Sequence, residues 1–180
     1  MATTSSKTEA MRERIRKMIP EGGKDGPTQG VNHIAVFAKD LEATAAFYND
    51  VMGMPVVRIS ANRDSQDSTH MNIDMGNGMT FAFFDFPHVS RLQRKAPEGV
   101  GGIMHIALGI EDKKREEIKA RLEQHKIDFQ EIGGGVYLKA PNGLGIELMA
   151  MGNEGTTDDT QQTTGVCFQG YRSDASSSLV

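Results

Sequence analysis

The chain has 180 residues, a formal net charge of −4 and a single cysteine, Cys167. It carries no basic block, so no nucleic acid and no anionic membrane is expected as a partner, and one thiol excludes both an intrachain disulfide and a thiolate-rich metal site. With no apolar run of membrane-spanning length and no signal-peptide core, the expectation is a cytoplasmic protein in a reducing compartment.

Residues 1–30 read as a polar N-terminal extension with a short helix at 8–19, stopped by Pro20. Its arginines hint at a transit peptide, but Glu9 and Glu13 argue against one. Residues 31–37 alternate as a strand, and Asp40 can cap a helix over 41–52 that places Leu41, Ala45, Phe47, Tyr48 and Val51 on one face and ends at Gly53. Strands follow at 55–60, 71–75 and 80–86, the last two joined by a tight turn at Gly76-Asn77-Gly78. The same order returns: a strand at 104–110, an Asp112-capped helix over 113–126, and strands at 129–132, 136–140 and 144–150, with a turn at Pro141-Asn142-Gly143. The fold class is therefore α+β, two tandem βαβββ modules in one domain over 31–151: module one 31–87, a linker 88–102 and module two 103–151. Residues 152–180 read as a polar C-terminal tail.

The modules repeat one another at the level of single residues. His33-Ile34-Ala35-Val36 returns as His105-Ile106-Ala107-Leu108, and Asn77-Gly78 returns as Asn142-Gly143. Five residues beyond each Asn stand Ala82 and Glu147. Strand parity puts Ile34, Val36, Ile106, Leu108 and Ile110 against the helices, which leaves His33 and His105 on the opposite, concave side. With three-residue turns, Asn72 lies opposite Ala82 and Tyr137 opposite Glu147, while His70 and Phe84 share the first concave face. A lone His in an apolar strand is ordinarily a satisfied core residue. Two at duplicated positions, with Glu147 inside the run Leu144-Gly145-Ile146-Glu147-Leu148-Met149, point instead to a facial triad: His33, His105 and Glu147 on a divalent metal with open positions. Phe84 and Phe86 face the cup and are candidates to line it for an aromatic substrate. The methionines 54, 75, 79, 104, 149 and 151 suit either an adaptable pocket or core gap-filling.

These residues resemble the vicinal oxygen chelate superfamily of glyoxalases, methylmalonyl-CoA epimerase, fosfomycin-resistance thiol transferases, bleomycin-resistance proteins and type I extradiol dioxygenases. The resemblance rests on Val31-Asn32-His33-Ile34-Ala35-Val36 with Phe47-Tyr48 and Met52-Gly53-Met54, on Met104-His105-Ile106-Ala107, and on Ala140-Pro141-Asn142-Gly143-Leu144-Gly145-Ile146-Glu147. It implies an open, cup-shaped mixed sheet around a metal. Glyoxalases and epimerases typically have a fourth ligand where this chain has Ala82, so the three-ligand pattern is most similar to the iron site of extradiol dioxygenases. That similarity implies Fe(II), with Mn, Ni or Zn as the other candidates, and dioxygen and a small catechol-like or other oxygen-chelating molecule as partners. It also implies a role at the substrate for Tyr137, ten residues before Glu147. The extradiol second-sphere His is replaced by Met79, and His70 is the nearest substitute by parity. Catalytic candidates are thus Tyr137 and His70, and substrate-binding candidates Phe84, Asn72 and Met79. A non-redox glyoxalase-like isomerase or lyase, a fosfomycin-type thiol transferase, and a non-catalytic small-molecule binding protein are the alternatives. A homodimer fits the family habit.

Overall fold

A computed structural model describes residues 6–20, 27–28, 30–86 and 101–150. The expected tail at 152–180, Met151, and the linker apart from Gly101 and Gly102 lie outside the described residues. The elements are α1 (Ser6–Arg16), β1 (His33–Phe37), α2 (Leu41–Ala46), a π-helical turn (Phe47–Val51), β2 (Val56–Ala61), β3 (Thr69–Gly76), β4 (Met79–Phe84), β5 (Ile106–Ile110), α3 (Asp112–Gln124), β6 (Phe129–Ile132), β7 (Gly135–Lys139) and β8 (Gly145–Ala150). After α1 this is βαβββ twice. Helix α1 begins and ends earlier than the sequence predicts, its exposed face laced by Arg12 and Arg16 to Glu9 and by Arg16 to Glu13.

In module one, Asp40 caps α2 as expected, its Oδ1 accepting from Ala43 N at 2.8 Å. The predicted single helix over 41–52 instead widens in its last turn, where Met52 N donates to Phe47 O at 3.1 Å, five residues back. Single π-helical turns of this kind occur within or at the ends of α-helices. Phe47 and Tyr48, adjacent in sequence, are both buried, with Val51 beside them. The Tyr48 ring packs on Phe81 and Phe83, with centroids 5.5 and 5.2 Å away. In module two the expected Asp112 cap is not formed. Glu111 occupies the capping position without a side-chain bond, and Asp112 is the first helical residue, paired with Arg115 at 3.0 Å.

Each module forms a four-stranded mixed sheet, in the order β1-β4-β3-β2 and β5-β8-β7-β6. The registers place Asn72 opposite Ala82 and Tyr137 opposite Glu147, and the parallel pairs match across the repeat: Ala35 with Ala82, Ala107 with Glu147. Ile34, Val36, Ile106, Leu108 and Ile110 pack against the core, as their parity predicts. That core draws on both modules, joining Phe47, Val51, Phe81 and Phe83 to Ile118, Leu122, Ile146 and Leu148. Two polar clasps cross the same junction. Arg121 Nε donates to Val51 O at 2.6 Å. Asn142, in the β7–β8 turn, accepts from Lys39 N at 3.2 Å and donates to the buried Thr44 Oγ1 at 3.0 Å. Among the described residues strand hydrogen bonding does not join the two sheets: β1 and β5 are each an edge strand.

Candidate functional site

Glu147 sits in the middle of β8 between the buried Ile146 and Leu148 and is itself 4% exposed. A carboxylate in that position is costly unless something compensates it. Two groups reach it. His105 Nε2 lies 2.8 Å from Oε2, and the Tyr137 hydroxyl donates to Oε1. Neither is a fixed positive charge, and no Lys or Arg forms an ion pair with Glu147 among the described residues. Burial, then the bond to Glu147, pushes the Tyr137 phenol up to about 12, so it stays a protonated donor at neutral pH. The His105 ring meets Tyr137 edge-on at 5.6 Å, and His105 Nδ1 is buried without a hydrogen-bond partner among the described residues.

Two glycines make room for this group. A Cβ on Gly135 would come within 2.7 Å of Glu147 Oε1 and 3.1 Å of the Tyr137 ring. One on Gly145 would meet Met104 O at 2.8 Å and His105 Cβ at 3.1 Å. Sequence reasoning passed over both. Gly135 lies two residues before Tyr137 and Gly145 two before Glu147, each on the same face of its strand, which is the signal that would have found them.

His33 lies on the other module. It is exposed on β1, and its Nδ1 is 2.8 Å from Asn32 Oδ1, an arrangement that holds the proton on Nδ1 and leaves Nε2 as a lone-pair donor. Asn32, within the Val31–Val36 motif, is a third residue whose role the sequence does not reveal. Within one chain the three expected ligands do not gather: no three His, Cys, Asp or Glu side chains form a cation site among the described residues. His105 and Glu147 make a pair on module two, and His33 stands apart on module one.

The concave face of module one carries the other expected residues. Ala82 is buried in the position that corresponds to Glu147. His70 stacks on Phe84 at 4.5 Å, Phe84 stacks on Phe86 at 5.7 Å, and Phe37 meets Phe86 edge-on at 6.0 Å. Burial holds the His70 imidazole below its ordinary range, helped by the charges of Arg58 and His33. Asn72 donates from Nδ2 to Thr80 Oγ1 at 3.2 Å. Met79 opens β4 opposite Gly76 with the parity of Phe81 and Phe83, outside the row of Thr80, Ala82 and Phe84. Of the remaining methionines, Met54 and Met75 pack on the core, whereas Met104 is 62% exposed.

Two clefts of about 240 and 430 Å³ lie at the module junction, and none of His33, His105, Tyr137 or Glu147 lines either of them. The chemistry-bearing residues instead sit on sheet faces.

The chain is 26% identical over 125 residues to the protein YaeR of Escherichia coli (strain K12), covering 66% of this chain and 93% of YaeR. It is 28% identical over 109 residues to "Putative ring-cleaving dioxygenase MhqE" of Bacillus subtilis (strain 168), covering 58% of this chain but 34% of MhqE, about a third of that relative's length. Among solved structures it is similar to the fosfomycin resistance protein FosX of Listeria monocytogenes, with a TM-score of 0.52, 21% identity, and coverage of 68% of this chain and 91% of FosX. Glyoxalase I of Leishmania major gives a TM-score of 0.55 at 21% identity, covering 68% of this chain and 87% of that one. These two are likenesses of fold. Its paired βαβββ modules, with a family-model match over residues 30–148, show that the chain belongs to the Glyoxalase/Bleomycin resistance protein/Dioxygenase superfamily.

Proposed function

We propose that this chain is a metal-dependent enzyme acting on a small molecule that chelates through its oxygens, and that an Fe(II)-dependent, extradiol-type dioxygenase is the reading its residues support best. The observation that carries it is Glu147: a carboxylate 4% exposed, aimed at one imidazole nitrogen and one phenol, in a cradle kept open by two glycines. That donor set fits a divalent cation, which would supply the positive charge the buried carboxylate lacks. His105 and Glu147 would hold the metal from one chain and His33 of a second copy would complete the triad, since one chain does not gather all three. The bound ion would act as a Lewis acid and, as iron, as a redox centre toward dioxygen.

The remaining roles belong to the protein. Tyr137 keeps its proton and orients Glu147 and the substrate. Ala82 adds no fourth ligand, which leaves coordination positions for substrate oxygens. His70, neutral at physiological pH and on the same sheet as His33, would come to the metal with the second copy and take or give a proton at Nε2, with Asn72 and Phe84 beside it. The name of the relative MhqE and the Mn(II) in a FosX structure are in keeping with this reading. Met79 favours a second one, a non-redox isomerase or a fosfomycin-type transferase, because a thioether cannot replace the second-sphere His of ring-cleaving enzymes. Metal analysis with oxygen-electrode assays on catechols separates the two. Stoichiometric iron with oxygen uptake is expected. Manganese, nickel or zinc with no oxygen consumed would sink the dioxygenase reading, and full metal retention in Glu147→Ala would sink the site.

A further inference from the structure

The concave face of module one carries a cation that the metal chemistry leaves unused. In the β2–β3 pair Arg58 stands opposite Asn72 and Ser60 opposite His70; in β3–β4 Asn72 stands opposite Ala82 and His70 opposite Phe84. Directly opposed residues share a face, so Arg58, Asn72, Ala82, His70 and Phe84 form one continuous surface. Arg58 is exposed, and it has no ion-pair partner among the described residues. The acid on this face, Asp74, accepts from Gly76 N at 2.9 Å toward the hairpin turn.

Beside Arg58 are two buried polar atoms with no hydrogen-bond partner among the described residues, His70 Nε2 and Asn72 Oδ1. Buried polar groups are paired in the great majority of cases, so two orphans two residues apart on one strand face mark a place where a ligand supplies the partners. Their chemistry describes that ligand. Asn72 Oδ1 accepts, and so calls for a hydroxyl. The guanidinium of Arg58 is a planar fork suited to a carboxylate or another oxyanion. Ala82 keeps the centre of the face low, and the His70–Phe84–Phe86 stack gives it a flat wall.

We infer that Arg58 anchors the anionic group of the substrate, which is therefore a hydroxylated organic acid rather than a neutral diol. This rests on the functional reading above for which molecule is turned over, but the anion subsite itself can be read without turnover. Inorganic phosphate, titrated into the full-length protein, should produce saturable shifts in the Arg58 Nε–H and His70 ring resonances. Both shifts should weaken with added salt, and the His70 shift should vanish in Arg58→Gln and persist with lower affinity in Arg58→Lys. Absence of such shifts, or survival of the His70 shift in Arg58→Gln, would overturn the proposal. As a second arm, 3,4-dihydroxybenzoate should displace phosphate at least about tenfold more effectively than catechol, a difference of one charged hydrogen-bonding group. Equal displacement by both would overturn the assignment of substrate class. If the acid displaces phosphate but the iron-loaded protein consumes no oxygen with it, the anion site stands and the dioxygenase reading falls. Arg58 lies exposed on an edge strand, so unchanged thermal unfolding of Arg58→Gln provides the folding control.

Discussion

Tyr137 and Glu147, ten residues apart in sequence, face each other across β7 and β8, and the phenol donates a 2.5 Å hydrogen bond to Oε1. Tyr137→Phe keeps the ring and its contact with His105 but removes the donor. Outer partners of a ligating group are commonly worth about 10–100-fold in metal affinity. A loss in that range on titration with Fe(II) or Mn(II), at nearly unchanged Tm, is the expected result. Undiminished affinity would show that the phenol does not position the carboxylate.

A site shared between two copies makes a stoichiometric prediction. His33→Ala and Glu147→Ala should each bind no metal. Co-refolded in equal amounts, they should recover about a quarter of the wild-type content, because half of a statistical mixture is heterodimer with one of its two symmetric sites intact. Zero recovery, measured by elemental analysis, would rule out completion by a partner's His33.

Tyr48 is fully buried, and its hydroxyl has no partner among the described residues. Burial drives its phenol pKa upward, so the group is neutral and unsatisfied. Tyr48→Phe should therefore stabilise the fold by about 1 kcal/mol, the scale of an unmet buried hydroxyl. A urea midpoint that falls would reveal a partner for the hydroxyl.

Asn142→Ala cuts the clasp between modules. Thr44 keeps its bond to Asp40 O at 2.6 Å, but Lys39 N loses its acceptor. A loss of about 1–2 kcal/mol is expected, with the urea slope unchanged. A two-step transition in place of a single one would show that the clasp couples the modules rather than only stabilising them.

His70 supplies a pH dependence. Its folded pKa lies below the ordinary 6.5, chiefly from burial and then from Arg58 and His33. The unfolded chain therefore takes up the proton first as pH falls. Stability from this residue is fully present above about pH 6.5, declines below it, and levels off beneath the folded pKa. His70→Gln should flatten that decline below about pH 6.5 in thermal melts. An identical profile in the variant would assign the titration elsewhere.

Much of the site could be read from the chain because strand parity survives small errors in turn length. The sequence predicts three-residue turns. The first is a two-residue Asn77-Gly78 turn, with Asn77 at φ 52° and Gly78 at φ 76°, and an irregularity between Asp74 and Gly76 restores the parity that sets Asn72 opposite Ala82. Parity says nothing about how two sheets are disposed. That is set by long-range packing, Leu122 in the shared core and Arg121 on Val51, so the separation of His33 from Glu147 could not be read from the repeat. Arg58 was hidden for a different reason: the β2 register shifts between Val56 and Arg58, which breaks the alternation that would have assigned its face. The π turn was likewise out of reach, because Phe47, Tyr48 and Val51 already share one face at an α-helical period, so the apolar pattern does not distinguish the two helices.

The edge position of β1 and β5 bears on how such an enzyme would be switched on. If the metal bridges two copies, cation loading and self-association are a single linked equilibrium: each ion bound favours the pair, and each pair formed raises the affinity for the ion. The protein's own concentration then becomes an effector. Expression level, rather than an added ligand, would set the fraction of chains that are competent, and a diluted sample would lose activity without a single molecule unfolding.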